Sequence, residues 1–300
     1  MRKTIQFPNF DAELNTDICG PTANAELTLT LRLGLRKVDP FTGGAAGIYL
    51  DGDLEAREII RWTPGVWEKW KSDFSSIVQP FWDGKFCLIN DCFSFPFQIR
   101  GMTLYPNVWC RFNLILNDAP TSRYITNDEG ASRNHYTIDV VRLDPNKANS
   151  FRSHSMVITS EDLKNDITGA TKGRGLITQI TALHEIGHLL GLNHVAVGKP
   201  GCPTSWTDAP ACYGVSDYDK LSVMGQGMLL RPEHDAYPWR EALRYFDREE
   251  RMMRVTKVPL GEKFAALMTA IHSPLSPWPA QMWNSYPRTF LGVETGRELA

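Results

Sequence analysis

The hydrophobic patterning of the chain predicts an α+β fold, on three observations. Leu27, Leu29, Leu31, Leu33 and Leu35 alternate with Glu26, Thr28, Thr30, Arg32 and Arg36, the period of two of a half-buried strand. Val66, Trp67, Trp70, Phe74, Ile77 and Val78 then follow at helical spacing. Several short apolar runs come next, and two strong helical stretches follow them.

Taken in order, residues 1–24 show little periodicity and read as a lead segment. The strand over 27–36 is ended by Asp39-Pro40 and Gly43-Gly44. Residues 53–62 look helical. Thr63-Pro64 offers an N-cap and a proline at the first helical position for the Trp-rich helix, whose aromatic stripe reads as core packing. Residues 86–89, 108–116, 136–143 and 155–159 are candidate strands, separated by turn-rich stretches such as 117–120 and 127–130. A helix is expected over 176–190, with Leu176, Ile180, Leu183 and Leu190 on or near one face. A second is expected over 233–246 and a third over 261–271. The tail, with Pro274, Pro277, Pro279 and Pro287, reads as an irregular surface segment.

The 300 residues suffice for one large domain or two small ones. Net charge is −2 and the isoelectric point about 6.4, which gives no electrostatic pull toward nucleic acid or an anionic membrane. No apolar run approaches a membrane span. The basic start, Arg2-Lys3, leads into no apolar h-region. The expectation is therefore a cytoplasmic protein, or one exported by a route that needs no such signal, or a leader missing from this sequence.

Residues 184–194 carry the chemistry. They read His184-Glu185-Ile186-Gly187-His188-Leu189-Leu190-Gly191-Leu192-Asn193-His194. His184 and His188 lie one helical turn apart on one face, close enough to share an ion. Glu185 sits on the adjacent flank, where it can reach a water without being a ligand. Gly191 supplies a positive φ at low cost, which lets the chain turn and bring His194 round as a third ligand. Three imidazoles leave a fourth tetrahedral position open, as catalytic zinc requires. By typical residue usage the full pattern should arise by accident in roughly one in 10^5 chains of this size.

Downstream, Ser222-Val223-Met224-Gly225 follows a loop rich in Gly, Pro and Cys. With this second mark, a Met in a tight turn after the third His, the chain resembles the metzincin clan of zinc peptidases over residues 176–228. The resemblance implies a twisted mixed sheet and helices in an upper half, then an active-site helix, a Met-turn and a C-terminal helix. It implies a catalytic domain over 25–256, after the lead segment 1–24, with residues 257–300 as an extension packed on it. It also implies one catalytic Zn2+ on His184, His188 and His194, Glu185 as general base, Met224 as support beneath the metal, and hydrolysis of peptide bonds in a protein or peptide substrate. Two departures stand out. The position two after Met224, where some families place a Tyr, is Gln226, and Val195 after the third His matches no usual family marker. Gln226, Tyr218 and His234 are candidates for substrate or oxyanion contacts, with Tyr213 as another tyrosine in reach. His135 and His154 read as ordinary histidines. Asp51-Gly52-Asp53 suggests structural calcium only faintly, because the full loop pattern is missing. Two rival functions are a secreted or delivered effector or toxin protease, for which an inhibitor or immunity protein would be a partner, and a metal-binding partner-recognition module without peptidase activity.

Six cysteines, at 19, 87, 92, 110, 202 and 212, allow fifteen full pairings. A Cys202–Cys212 bridge would fix the loop after His194, and Cys87 and Cys92 could close a small loop. The alternative is six reduced, mostly buried thiols. Cys19-Gly20 faintly resembles the thiol latency switch of matrixin propeptides, with a structural cysteine as the plainer expectation.

Overall fold

The computed structural model describes residues 2–17, 24–41, 43–51, 54–88, 97–99, 102–104, 107–120, 134–145, 151–171, 173 and 175–256. The strands in chain order are β1 (Arg2–Gln6), β2 (Asp11–Asn15), β3 (Ala25–Val38), β4 (Ala46–Leu50), β5 (Ala56–Ile60), β6 (Phe86–Leu88) and β7 (Phe97–Ile99). They continue with β8 (Met102–Leu104), β9 (Val108–Asp118), β10 (Tyr136–Val141), β11 (Val157–Thr159), β12 (Asn165–Thr171) and β13 (Gly175–Ile180). The helices are α1 (Pro64–Trp82), α2 (Thr181–Leu189), the short α3 (Asp217–Lys220) and α4 (Pro232–Asp235), and α5 (Tyr237–Thr256). The architecture is mixed α+β, with a mixed sheet and few helices.

The long strand β3 organises the main sheet. Parallel β9 runs along residues 25–35 of one edge. On the other edge antiparallel β2 covers residues 26–30 and parallel β10 covers 33–38. Antiparallel β1 extends the sheet beyond β2, parallel β11 beyond β10, and antiparallel β6 beyond β9. Leu27, Leu29, Leu31, Leu33 and Leu35 are all buried, as their alternation predicts. Each contributes roughly 1.5–3 kcal/mol of burial.

Helix α1 lays Trp67, Trp70, Phe74, Val78 and Trp82 inward against β9 and α2. Trp67 and Trp70 stack with centroids 5.6 Å apart. Gln79 ties the helix to the sheet, with its Oε1 accepting from Leu114 N at 2.7 Å. Pro64 opens the helix as expected, but Thr63 caps it with its backbone carbonyl, which accepts from Trp67 N at 3.0 Å, and not with its hydroxyl.

Four local expectations are corrected. Residues 2–15 form a hairpin that pairs with β3, because cross-strand bonding supplies the order that the weak periodicity of 1–24 lacked. Residues 56–60 are a strand, not a helix; they pair with β4, and Ile59 is buried with Val141 and Leu143. Residues 175–180 belong to β13, so the motif helix begins only at Thr181; pairing with β12 outweighs the helical spacing of Leu176 and Ile180. The helix expected over 233–246 is two helices broken at Ala236. The helix expected over 261–271 and the proline-rich tail lie outside the described residues. No helix among the described residues is long and apolar enough to cross a membrane.

Candidate metal centre

Helix α2 is short and almost entirely buried, with Ala182, Leu183, Ile186 and Leu189 packed into the core. His184, Glu185 and His188 are therefore held on rigid backbone. Gly191 takes φ +92°, the left-handed conformation expected of it. The turn it makes is closed by Leu192 N donating to Gly187 O at 3.0 Å, and it carries the chain to His194.

The three imidazoles converge. His188 Nε2 lies 3.1 Å from His184 Nε2 and 3.1 Å from His194 Nε2. Each ring donates from Nδ1 to a backbone carbonyl: His184 to Val223 O at 2.7 Å, His188 to Leu192 O at 2.8 Å and His194 to Thr207 O at 2.8 Å. Those bonds place the proton on Nδ1 and leave a lone pair on every Nε2. Burial, then the neighbouring histidines, pushes His184 down to about 3, against the opposing pull of its bond to Val223. Burial pulls His188 down to about 4 and lowers His194 as well. All three are thus neutral near pH 7. Three neutral donors aimed at one point fit a metal ion, which relieves their mutual repulsion. Among the described residues this trio is the one cluster of metal-ligating side chains.

Met224 lies beneath α2, fully buried. A Cβ at Gly187 would overlap Met224 Sδ outright, so the glycine permits a contact that no other residue would allow. Met224 O accepts from Val195 N at 2.9 Å, which ties the turn to the residue after the third His. The anchor of this turn escaped the sequence pattern. Gln179, buried in β13, brings Nε2 to the carbonyls of Val223 (2.9 Å), Gly227 (3.1 Å) and Gly225 (3.3 Å). Only the strand assignment of 175–180 reveals its inward direction.

The trio opens onto a cleft of about 670 Å³. It is lined by residues 152–155, by α2 with the turn that follows it, and by residues 206–208 with Tyr213. Glu185 lines it and is buried; burial first, then the charges of Asp162 and Asp208, raises its carboxyl to about 8. Tyr213 packs its ring 3.8 Å from that of His194. Cys202 and Cys212 are bridged, as their place in the sequence suggested, and the bridge closes the loop that carries Trp206, Thr207 and Asp208. Cys87 is a buried free thiol, so no Cys87–Cys92 loop is closed; β6 pairing holds it inside the sheet, and Cys110 on β9 is likewise buried and free. Cys19, Cys92 and the latency motif lie outside the described residues.

Gln226, Tyr218 and His234 do not line this cleft. The Gln226 carbonyl accepts from the Thr168 hydroxyl, and its side chain faces Gly169. Tyr218 donates its hydroxyl to Glu233 at 2.8 Å and stacks under Arg231. His234 Nδ1 sits 2.8 Å from Asp235. His154, read as an ordinary histidine, does line the cleft, together with Arg152, Trp206 and Asp208. No spacing rule marks those four, because they sit in irregular segments. The Asp51 carboxylate accepts from Glu55 N at 2.9 Å and from Arg57 at 2.7 Å, while Gly52 and Asp53 of the calcium reading lie outside the described residues.

No family model matches the chain, and neither a curated protein nor a solved structure matches it. A histidine triad within metal-binding distance, compatible with a metzincin, is what the chain itself presents.

Proposed function

We propose that this chain is a zinc-dependent endopeptidase of metzincin type, with His184, His188 and His194 as ligands and Glu185 as general base. One observation carries the proposal: three neutral imidazoles present Nε2 to a single point on the floor of an open cleft, with a buried carboxylate on the same helix. Zinc–nitrogen distances of about 2.0–2.1 Å in a tetrahedron put the nitrogens roughly 3.3 Å apart, close to the spacing of 3.1 Å here. When bound, zinc supplies positive charge that acidifies water and stabilises a developing oxyanion.

The protein residues do the rest. The charge of a bound cation would draw the Glu185 carboxyl back down from its raised value, so that as a carboxylate it accepts a proton from the water that attacks the carbonyl carbon, and passes it to the amine as the C–N bond breaks. Arg152 and Tyr213, hydrogen-bonded to each other at the edge of the cleft, offer donors to the substrate carbonyl oxygen. Met224 holds the ligands from below by packing and does not coordinate. The Cys202–Cys212 bridge favours an oxidising compartment, and with it a secreted or delivered form of the same activity.

The test is incubation with a proteome-derived peptide library, with new termini identified by mass spectrometry. Wild type should hold about one zinc per chain and cut, and His194→Ala should lose the metal. Glu185→Gln should fold, keep zinc and lose activity by about 10^2–10^4. Metal-loaded wild type that cuts nothing would favour a partner-recognition module. A Glu185→Gln protein as fast as wild type would place the base elsewhere.

A further inference from the structure

The loop at 206–208, which lines the cleft, carries two side chains that neither ligate at the metal centre nor belong to the core. Trp206 leaves 56% of its surface exposed, and it faces into the cleft and not onto the core. Two residues on, the Asp208 side chain is 58% exposed. Among the described residues the one charged-group contact of Asp208 is His194 Nδ1, at 3.7 Å. That distance is too long for a hydrogen bond, and the Nδ1 proton is already donated to Thr207 O at 2.8 Å. Asp208 is therefore not occupied in orienting the ring. Arg152, the one Arg or Lys among the residues lining the cleft, is engaged with the Tyr213 hydroxyl.

The placement is also rigid. Ala209 N donates to Trp206 O at 3.2 Å and Cys212 N to Ala209 O at 2.8 Å, and the Cys202–Cys212 bridge closes the loop. A pre-organised site loses little entropy when it binds. An aromatic face beside a carboxylate is the chemistry that recognises a positively charged group, by cation–π attraction and by charge.

We propose that Trp206 and Asp208 form a cation subsite on the rim of the metal centre, so that the cleft takes peptides presenting a positive group beside the bond to be cut. The position argues for this: Asp208 Oδ1 lies 3.7 Å from Nδ1 of His194, the ring whose Nε2 is one of the three that converge. The same chemistry fits a Lys or Arg side chain or a free amino terminus. This inference rests on the peptidase assignment for its cleavage step, but not for its binding step.

The experiment has two arms. In the first, metal-loaded wild type, Asp208→Asn, Asp208→Lys and Trp206→Ala are given N-acetylated peptides in which one position carries Lys, Arg, norleucine or Glu, and a matched set with free amino termini. Lys or Arg should raise kcat/KM about tenfold over norleucine in wild type, mainly through KM. Asp208→Asn should erase that preference, Asp208→Lys should turn it toward Glu, and Trp206→Ala should weaken it severalfold. If only the free-terminus set shows the preference, the cation is the substrate's own amine. In the second arm, Glu185→Gln protein with zinc is titrated with the same peptides, with and without Asp208→Lys. Asp208-dependent binding of cationic peptides without cleavage by wild type would keep the subsite and overturn the peptidase assignment. Cleavage or binding indifferent to charge would overturn the subsite alone. So would an Asp208→Asn protein whose kcat falls equally for all peptides, because Asp208 would then act on the metal centre itself, by positioning His194 or through its charge on Glu185.

Discussion

Replacing Gly187 by Ala adds one methyl at the tightest contact beneath the metal centre. The new Cβ would overlap Met224 Sδ and lie 3.2 Å from Met224 Cε and 3.5 Å from Trp82 Cζ2. Met224 and Trp82 are both fully buried, so neither has solvent into which to retreat. Overpacking of this kind costs about 1–3 kcal/mol. Against it, Ala in place of a mid-helix Gly gains about 0.5–1 kcal/mol of helix stability. The net expectation is a loss of about 0–2 kcal/mol in the metal-free protein, read by chemical denaturation. The effect on the metal should be larger than on stability, because Met224 cannot move alone: Val223 O holds His184 and Met224 O holds Val195. Chelator competition should show weaker zinc binding. In a Met224→Ala background the clash is gone, and the same substitution should be neutral or stabilising by up to about 1 kcal/mol, a coupling that a double-mutant cycle measures. A single Gly187→Ala protein that is more stable than wild type and binds zinc equally well would refute the reasoning.

Two further perturbations probe the surroundings of the site. Replacing Cys202 and Cys212 by Ser removes a bridge spanning 10 residues of sequence, worth about 3 kcal/mol in the chain-entropy model; zinc affinity should fall with it, because the freed loop carries Thr207 O, and unchanged affinity would show that the loop holds itself. Burial raises the Asp162 carboxyl to about 6, against the bonds from Ser153 and Thr159 that lower it. The folded state thus holds this proton more tightly than the unfolded chain, so the linked stability is present below about pH 4 and is lost as pH rises through about 6. Asp162→Asn keeps an acceptor for Thr159 N and removes the charge, and should flatten the stability profile over that window. A slope identical to wild type would mean that Asp162 does not titrate there.

Local rules made the candidate metal site legible and left the other residues lining its cleft dark. The spacing of His184, His188 and His194 encodes their convergence, because helix geometry and one left-handed glycine are short-range properties. The leucine alternation of β3 and the tryptophan stripe of α1 were legible for the same reason: each pattern has one period and one buried face. Residues 175–180 satisfy two periods at once: Leu176 and Ile180 also fit a helical spacing, and the partner that decides the matter, β12, is another segment. Gln179 is hidden in the same ambiguity, since its inward direction exists only in a strand. Arg152, Trp206 and Asp208 meet across the cleft from segments about fifty residues apart, with no periodicity to announce them.

The three Nδ1 bonds have a consequence for how the site tolerates change. The acceptors at 192, 207 and 223 are peptide oxygens, and every amino acid carries the same one. Ring orientation is thus encoded in the path of the main chain and not in the identity of any side chain at those positions. Substitution there can drift as far as packing allows while the imidazoles keep their aim. Two chains could then share this centre to within a hydrogen-bond length and have little in common beyond the histidines, the glutamate and the glycine that turns the chain.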